Sequence, residues 1–440
     1  MIGKFCIISY VFNNIFNLSI KYMKIIATSD WHLGNLFHGN DRLQEHKHFL
    51  AWLLECLEEE QPDALLVAGD VFDNGNPSAA AQSAYYEFLA DATKACPDMQ
   101  IIITAGNHDS ANRLEAPRVL LARHRVEVRG NVHRVWNPET ENWQTDIEDL
   151  MIPVISKDGG RMIVLAVPYL RSDVVQNACY SEGVNHFLRR LTERARELYP
   201  GYFLVMMAHM YAKGAEISTR DASEKIVIGG QEEVGLEEGE HPDYLTCGHI
   251  HKRQHIWGTD WARYTGSVLP MSFAEKDYTH GVDLVLLEQG KLSVEQKIYT
   301  PQHKLCVLPE DDAEMTPKKL EKLIHQKLKE RTDGKLSENF DYVVLKVKQD
   351  KVNNDDIKEL ENLVNSKNAV LCKIQKIVSQ LDLATISEGE KLASIEDILN
   401  RNPMDTLREA FAIKHNAEMS EQQEVLLQDL LKGIKNETID

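Results

Sequence analysis

Five short apolar runs, each leading into aspartate, asparagine or histidine, set the pattern of this chain. Ile25-Ile26-Ala27-Thr28-Ser29 stops at Asp30-Trp31-His32, and Ala64-Leu65-Leu66-Val67-Ala68 stops at Gly69-Asp70. Ile101-Ile102-Ile103 leads through Thr104-Ala105 into Gly106-Asn107-His108-Asp109. Further on, Phe203-Leu204-Val205-Met206-Met207-Ala208 stops at His209, and Tyr244-Leu245-Thr246-Cys247 stops at Gly248-His249-Ile250-His251. Runs this short and continuous predict strands covered on both faces, as in α/β folds. Between them, Phe49, Leu50, Leu53, Leu54 and Leu57 have helical spacing and predict a helix over 42–60. An Ala-rich helix is expected over 78–95, with Tyr85, Phe88 and Leu89 on one face that packs on the sheet or meets a second subunit. Shorter helices are expected over 114–125 and 184–198, and a strand over 162–167. A hairpin-like pair near Ala262–Gly266 and Val282–Leu287 is expected to close the sheet.

The alternation changes near Pro301. Residues 303–376 predict strand, Lys-rich helix (317–330), strand (342–347), helix (355–365) and strand (369–376), a small α+β module whose strands do not end in Asp or His. A linker at 381–388 then leads to short amphipathic helices near 394–400, 403–414 and 420–435. Leu426, Leu427, Leu430 and Leu431 form a narrow stripe that fits another protein or the chain's own body equally well. A length of 440 residues allows roughly two to three domains. The expected division is an extension at 1–22, a large domain at 23–300, the small module at 301–380, and a linker with helices at 381–440. Met23, directly before the first strand, is taken as the natural start, and no function is assigned to the residues before it.

Composition narrows the setting. The seven cysteines are scattered without a CxxC pair, which argues against a disulfide framework or zinc knuckle and for the reducing cytoplasm. No apolar run reaches the ~18–20 residues of a membrane span. The formal charge of −19 is the opposite of the basic footprint expected for nucleic-acid binding. Part of that acid is clustered at 231–240 and 310–314, and part lies among the candidate ligands.

The chemistry is expected at the strand ends, where open α/β sheets bind ligands. Asp30, His32, Asp70, Asn107, His209, His249 and His251 are the candidate metal ligands. Asp30 and His32 lie two apart, so in an extended segment both would face one cation. A tetrahedral zinc needs only about four ligands. Seven, mixing carboxylate, amide and imidazole, point instead to two divalent ions sharing a bridging carboxylate, with Mn²⁺ suited to the set. Such pairs, ~3.5–4 Å apart, serve phosphoryl transfer to water. Taken singly, each signal has a plainer meaning: a strand-end histidine is usually just hydrogen-bonded, and Gly-Asp is common turn chemistry. Their recurrence at five run ends is what carries weight.

Asp30-x-His32, Gly69-Asp70-x-x-Asp73, Gly106-Asn107-His108-Asp109, His209 and Gly248-His249-x-His251 resemble the motif series of the calcineurin-like metallophosphoesterases. Within that superfamily, Thr28–Gly34, Val67–Asp73, Gly106–Ser110, Gly248–Lys252 and Tyr264–Ser267 resemble the SbcD-type nuclease subunits, over nearly all of 23–433. The resemblance implies an α/β fold: a four-layer metallophosphoesterase β-sandwich flanked by helices, with a small α+β capping domain and C-terminal helices. It implies one ion on Asp30, His32, Asp70 and His251, and another on Asp70, Asn107, His209 and His249, so that Asp70 bridges. It implies His108 as a catalytic residue near the scissile phosphate, with Asp109 orienting its imidazole. Some relatives carry a histidine where this chain has Asp73, so no histidine role is assigned there.

The implied activities are ATP-dependent 3′→5′ exonuclease on double-stranded DNA and endonuclease on single strands and hairpins, serving end processing, replication and recombination. The implied partners are DNA, an SbcC-type ATPase docked by the C-terminal helices, and a second copy of the chain met near Tyr85–Leu89 and Val119–Leu121. In the capping domain Lys318, Lys319 and Lys322 are weak candidates for positioning DNA, and a solvated helix face explains them better. Two other function classes share the motifs. A phosphoesterase for small molecules or phosphoproteins has no need of residues 303–435, and a non-catalytic DNA tether has no need of His108.

Overall fold

The apolar runs become strands of two stacked six-stranded sheets. The computed structural model describes residues 22–377 apart from 139, 173, 176–178, 218–232, 236–238, 289–290, 312–314 and 349–351. These belong almost wholly to one compact unit, residues 1–347 and 352–375. In the first sheet the spatial order is Lys291–Tyr299, His280–Glu288, Tyr22–Thr28, Ala64–Ala68, Gln100–Thr104 and Val126–Arg129. The last four strands run parallel to one another. The second sheet is ordered Gln254–His255, Ala262–Tyr264, Tyr244–Gly248, Phe203–His209, Arg161–Ala166 and Met151–Ile155. Its central strands are parallel too.

Side-chain alternation builds the layers. Ile25, Ala27, Leu66, Ile102, Val164, Val205 and Met207 meet between the sheets. Ile26, Leu65, Val67, Ile101 and Ile103 face outward, onto the helices Leu43–Glu60 and Ala79–Ala95. Ile163, Leu165, Leu204, Met206 and Leu245 do the same against the helix Tyr180–Leu198. A strand with period-two side chains and both faces covered reads as one continuous apolar run. The result is four layers, helix–sheet–sheet–helix, of mixed α/β class.

Several local expectations are corrected. Residues 114–125 are not one helix; Ala111–Glu115 and Arg118–Leu121 are separated at Pro117, whose ring cannot sit inside a continuous helix. Ala262–Tyr264 and His280–Glu288 do not pair, because they belong to different sheets. Tyr85, Phe88 and Leu89 are buried against the first sheet, and Tyr86 and Glu87 are the exposed residues of that stretch.

Beyond residue 303 a three-stranded sheet, Lys304–Leu308, Asp341–Lys348 and Ala369–Ile377, carries the helices Pro317–Lys327 and Asn354–Ser366. Leu308, Leu320, Ile324, Val343, Leu345, Leu360 and Val364 give it a core of its own. It meets the large domain through Tyr342, whose ring lies 5.0 Å from Phe37 and whose hydroxyl donates to Glu45 Oε1 (3.1 Å). The helices expected over 394–435 lie outside the described residues. Among the described residues, no helix is long and apolar enough to cross a membrane.

Candidate metal centre

The five run ends meet at one edge of the sandwich. The strand Tyr22–Thr28 stops two residues before Asp30, so Asp30 and His32 reach the site from a loop rather than as alternate residues of a strand. Asp30, His32 and Asp70 all have left-handed backbones, with φ of 51°, 46° and 48°. Such conformations cost about 1–3 kcal/mol each and persist only where the surroundings over-determine them. Here the two loops are stitched together by Asp30 N to Gly69 O (3.1 Å), His32 N to Asp70 O (3.0 Å) and Leu33 N to Val71 O (2.9 Å). Gly106 is required by closeness alone, since a Cβ there would collide with Asp70 Oδ1.

Two groups of potential ligand atoms converge, each within 4.8 Å: Asp30, His32 and His251, and Asp30, Asp70 and His209. Asp70 Oδ2 lies 3.7 Å from His32 Nε2 and 3.3 Å from His209 Nε2, between the two groups. Asn107 Oδ1 lies 2.9 Å from His209 Nε2 and 3.0 Å from His249 Nδ1, which brings in the remaining candidates. All seven predicted ligands are therefore in one cluster, and Asp30, His32, Asp70, His209 and His251 are buried.

The donor set fits divalent cations. His209 Nδ1 donates to the Ala68 carbonyl (3.0 Å), so Nε2 is the nitrogen that faces the oxygens of Asn107 and Asp70. Oxygens gathered round that nitrogen call for a positive charge, which a proton supplies in the metal-free protein and which a divalent ion can replace. Both ring nitrogens of His32 are buried without a hydrogen-bond partner, an arrangement that costs stability unless something binds them. The electrostatics agree. Burial works against ionisation of Asp70, yet His209, His32 and His108 hold its carboxyl far below the usual range. Burial also opposes charge on His209, but the Asp70 carboxylate overrides it and lifts the imidazole to about 9. Burial and the neighbouring His209 push His249 down to about 3.

His108 is exposed, with its ring 4.9 Å from that of His32. Its Nδ1 donates to the Asp73 carbonyl (2.9 Å), which leaves Nε2 for a substrate. This corrects the expectation that Asp109 orients the ring. The Asp109 carboxylate instead accepts from Gly106 N (2.9 Å), Phe72 N (2.9 Å) and Val71 N (3.1 Å), so it fixes the loops that carry Asp70 and His108. Burial and Asp70 raise Asp109 to about 6 despite those donors. Glu275 has no signature in the sequence. It is fully buried, and its Oε1 lies 3.0 Å from His251 Nδ1.

A two-sheet sandwich with acid, amide and imidazole groups gathered at one edge defines a metallophosphoesterase. The calcineurin-like phosphoesterase family profile matches residues 23–253. A Rhodobacter capsulatus protein, named as the SbcD component of the nuclease SbcCD, is 36% identical over 286 residues, covering 61% of this chain and 67% of that protein. Its Escherichia coli K12 namesake is 31% identical over 67% of this chain and 72% of its own length. The Bacillus subtilis one is 28% identical over 63% and 69%. The chain belongs to the calcineurin-like phosphoesterases and, within them, to the SbcD family.

Proposed function

We propose that this chain is a metal-dependent DNA nuclease subunit, hydrolysing phosphodiesters at two divalent ions, Mn²⁺ by ligand chemistry. The observation that carries the reading is the pair of ligand clusters meeting around Asp70, with an exposed histidine beside them. Asp30, His32, Asp70 and His251 would hold one ion, and Asp70, Asn107, His209 and His249 the other. Such a pair supplies an activated water and stabilises charge on the phosphate oxygens. The chain's own residues do the rest. His108, tethered through Nδ1 to Asp73, presents Nε2 where it can protonate the leaving 3′-oxygen. Asp109 holds the loop that aims it.

The relatives' name places them in an SbcCD complex. On that basis the partner is an SbcC-type ATPase docked by residues 381–440. The activities are ATP-dependent 3′→5′ exonuclease on duplex ends and endonuclease on hairpins and single strands, in a cytoplasmic setting. Residues 301–380 form the capping domain that positions DNA on the nuclease domain, 23–300, and Lys318, Lys319 and Lys322 lie on its helix. A homodimer would form near Tyr85–Leu89 and Val119–Leu121, where Tyr86, Leu89 and Leu121 line a cavity of about 590 Å³ and Val119 (74%) and Leu120 (67%) are exposed.

The test supplies Mn²⁺, ATP and the ATPase partner, and follows cleavage of hairpin and duplex DNA beside a chromogenic phosphodiester. The reading expects DNA to be cut. Turnover of the small diester with intact DNA would favour a small-molecule phosphoesterase instead.

A further inference from the structure

Among the candidate ligands, His251 is backed by a carboxylate that no motif announces. The segment after the strand Ala262–Tyr264 doubles back over the His251 loop. Gly266, at φ +79°, passes so close that a Cβ would lie 2.7 Å from the His251 carbonyl. Ser267 N then donates to that same carbonyl (3.0 Å). The chain continues through Pro270, whose carbonyl accepts from the buried Arg42 guanidinium (2.5 Å). It ends in a single 3₁₀ turn, Phe273–Glu275, capped by Ser272. That turn places Glu275 behind His251, with Oε1 3.0 Å from Nδ1, while Oε2 accepts from Met271 N (2.9 Å). Phe273 packs on Phe37 with ring centroids 5.3 Å apart, which pins the turn from its other side.

We infer that Glu275 is a positioning residue: it keeps the His251 proton on Nδ1 and so turns the Nε2 lone pair toward the ion site. The inference rests on the metal reading of this cluster. A carboxylate is acceptor-only, so the nitrogen facing it must carry the hydrogen. In a neutral imidazole the other nitrogen is then the available ligand. Partners of this kind orient ligating histidines and raise their basicity. Both Glu275 oxygens are engaged, one by the ring and one by a backbone N–H, so the carboxylate cannot rotate without losing a bond.

Glutamine at this position separates shape from chemistry. Its one oxygen can satisfy Met271 N or the imidazole N–H, but not both. If it keeps Met271, the amide NH₂ faces Nδ1 and drives the ring proton to Nε2, the wrong side for a cation. The experiment titrates the full-length protein, stripped of metal, with Mn²⁺ by calorimetry, for wild type, Glu275→Gln and Glu275→Ala. Thermal unfolding of each metal-free protein is measured alongside. Wild type is expected to bind two ions. In both variants one site should weaken by ~10–100-fold and the other stay close to wild type. The metal-free Glu275→Gln protein should melt near wild type. Wild-type affinity at both sites in Glu275→Gln would overturn the inference, as would an affinity loss matched by unfolding of the metal-free protein. A wild-type protein that binds no ion pair would instead overturn the metal reading itself.

Discussion

His209 shows how the surroundings of one side chain define its partner. Its Nδ1 is tied to a backbone carbonyl and its Nε2 looks at two oxygens, so that nitrogen holds a proton in the metal-free protein and is placed to exchange it for a cation. His108 is arranged otherwise, exposed and tethered at Nδ1 alone. The difference predicts separable phenotypes. His108→Ala should keep Mn²⁺ affinity in a calorimetric titration and keep DNA binding, while cleavage falls by ~10²–10⁴-fold. Cleavage at the wild-type rate would remove His108 from the chemistry. The seven candidate ligands are legible in the sequence because each stands at or just beyond the end of an apolar run, where the period-two pattern stops. Glu275 is not. It lies in an irregular loop whose course depends on Gly266, Arg42 and Phe37, contacts that no local pattern reveals. The role of Asp109 is hidden for a related reason, since its partners are backbone amides.

At the scale of elements, the helix Leu43–Glu60 is plain from its spacing, yet it buries more than apolar residues. His46 is fully enclosed on it, and burial together with the nearby Arg42 lowers its imidazole to about 3. In the unfolded chain the group titrates near its ordinary 6.5. The native state therefore binds fewer protons between these values, and stability is lost as pH falls through that window. The contribution of His46 to that loss is about 2 kcal/mol by pH 5. Urea denaturation of His46→Met should show a correspondingly shallower decline from pH 7 to 5. A decline as steep as wild type would mean that the ring is not held neutral. The strand Lys291–Tyr299 carries its own signal, since Leu292 and Val294 alternate with polar residues, the mark of a half-covered strand. The sheet assignments of Ala262–Tyr264 and His280–Glu288 carry none, because pairing partners are distant in sequence and leave no local trace.

At the scale of the molecule, fold class follows from the alternation of runs and helices, whereas the division into two stacked sheets comes only by resemblance. A formal charge of −19 gives no hint of DNA. The proposed homodimer is open to a direct test. Val119→Glu combined with Leu120→Glu places charge on two exposed apolar residues, with little cost to a monomer. Sedimentation equilibrium should move from about twice the 50.1 kDa chain mass to the chain mass itself. A dimer that persists would locate the contact elsewhere.

The central claim is a pair of ions around one shared carboxylate. It is tested most directly by anomalous diffraction at the manganese edge from crystals soaked in Mn²⁺. Two peaks ~3.5–4 Å apart are expected, with Asp70 between them and the four histidines, Asp30 and Asn107 around them. A single peak, or density away from Asp70, would contradict the account.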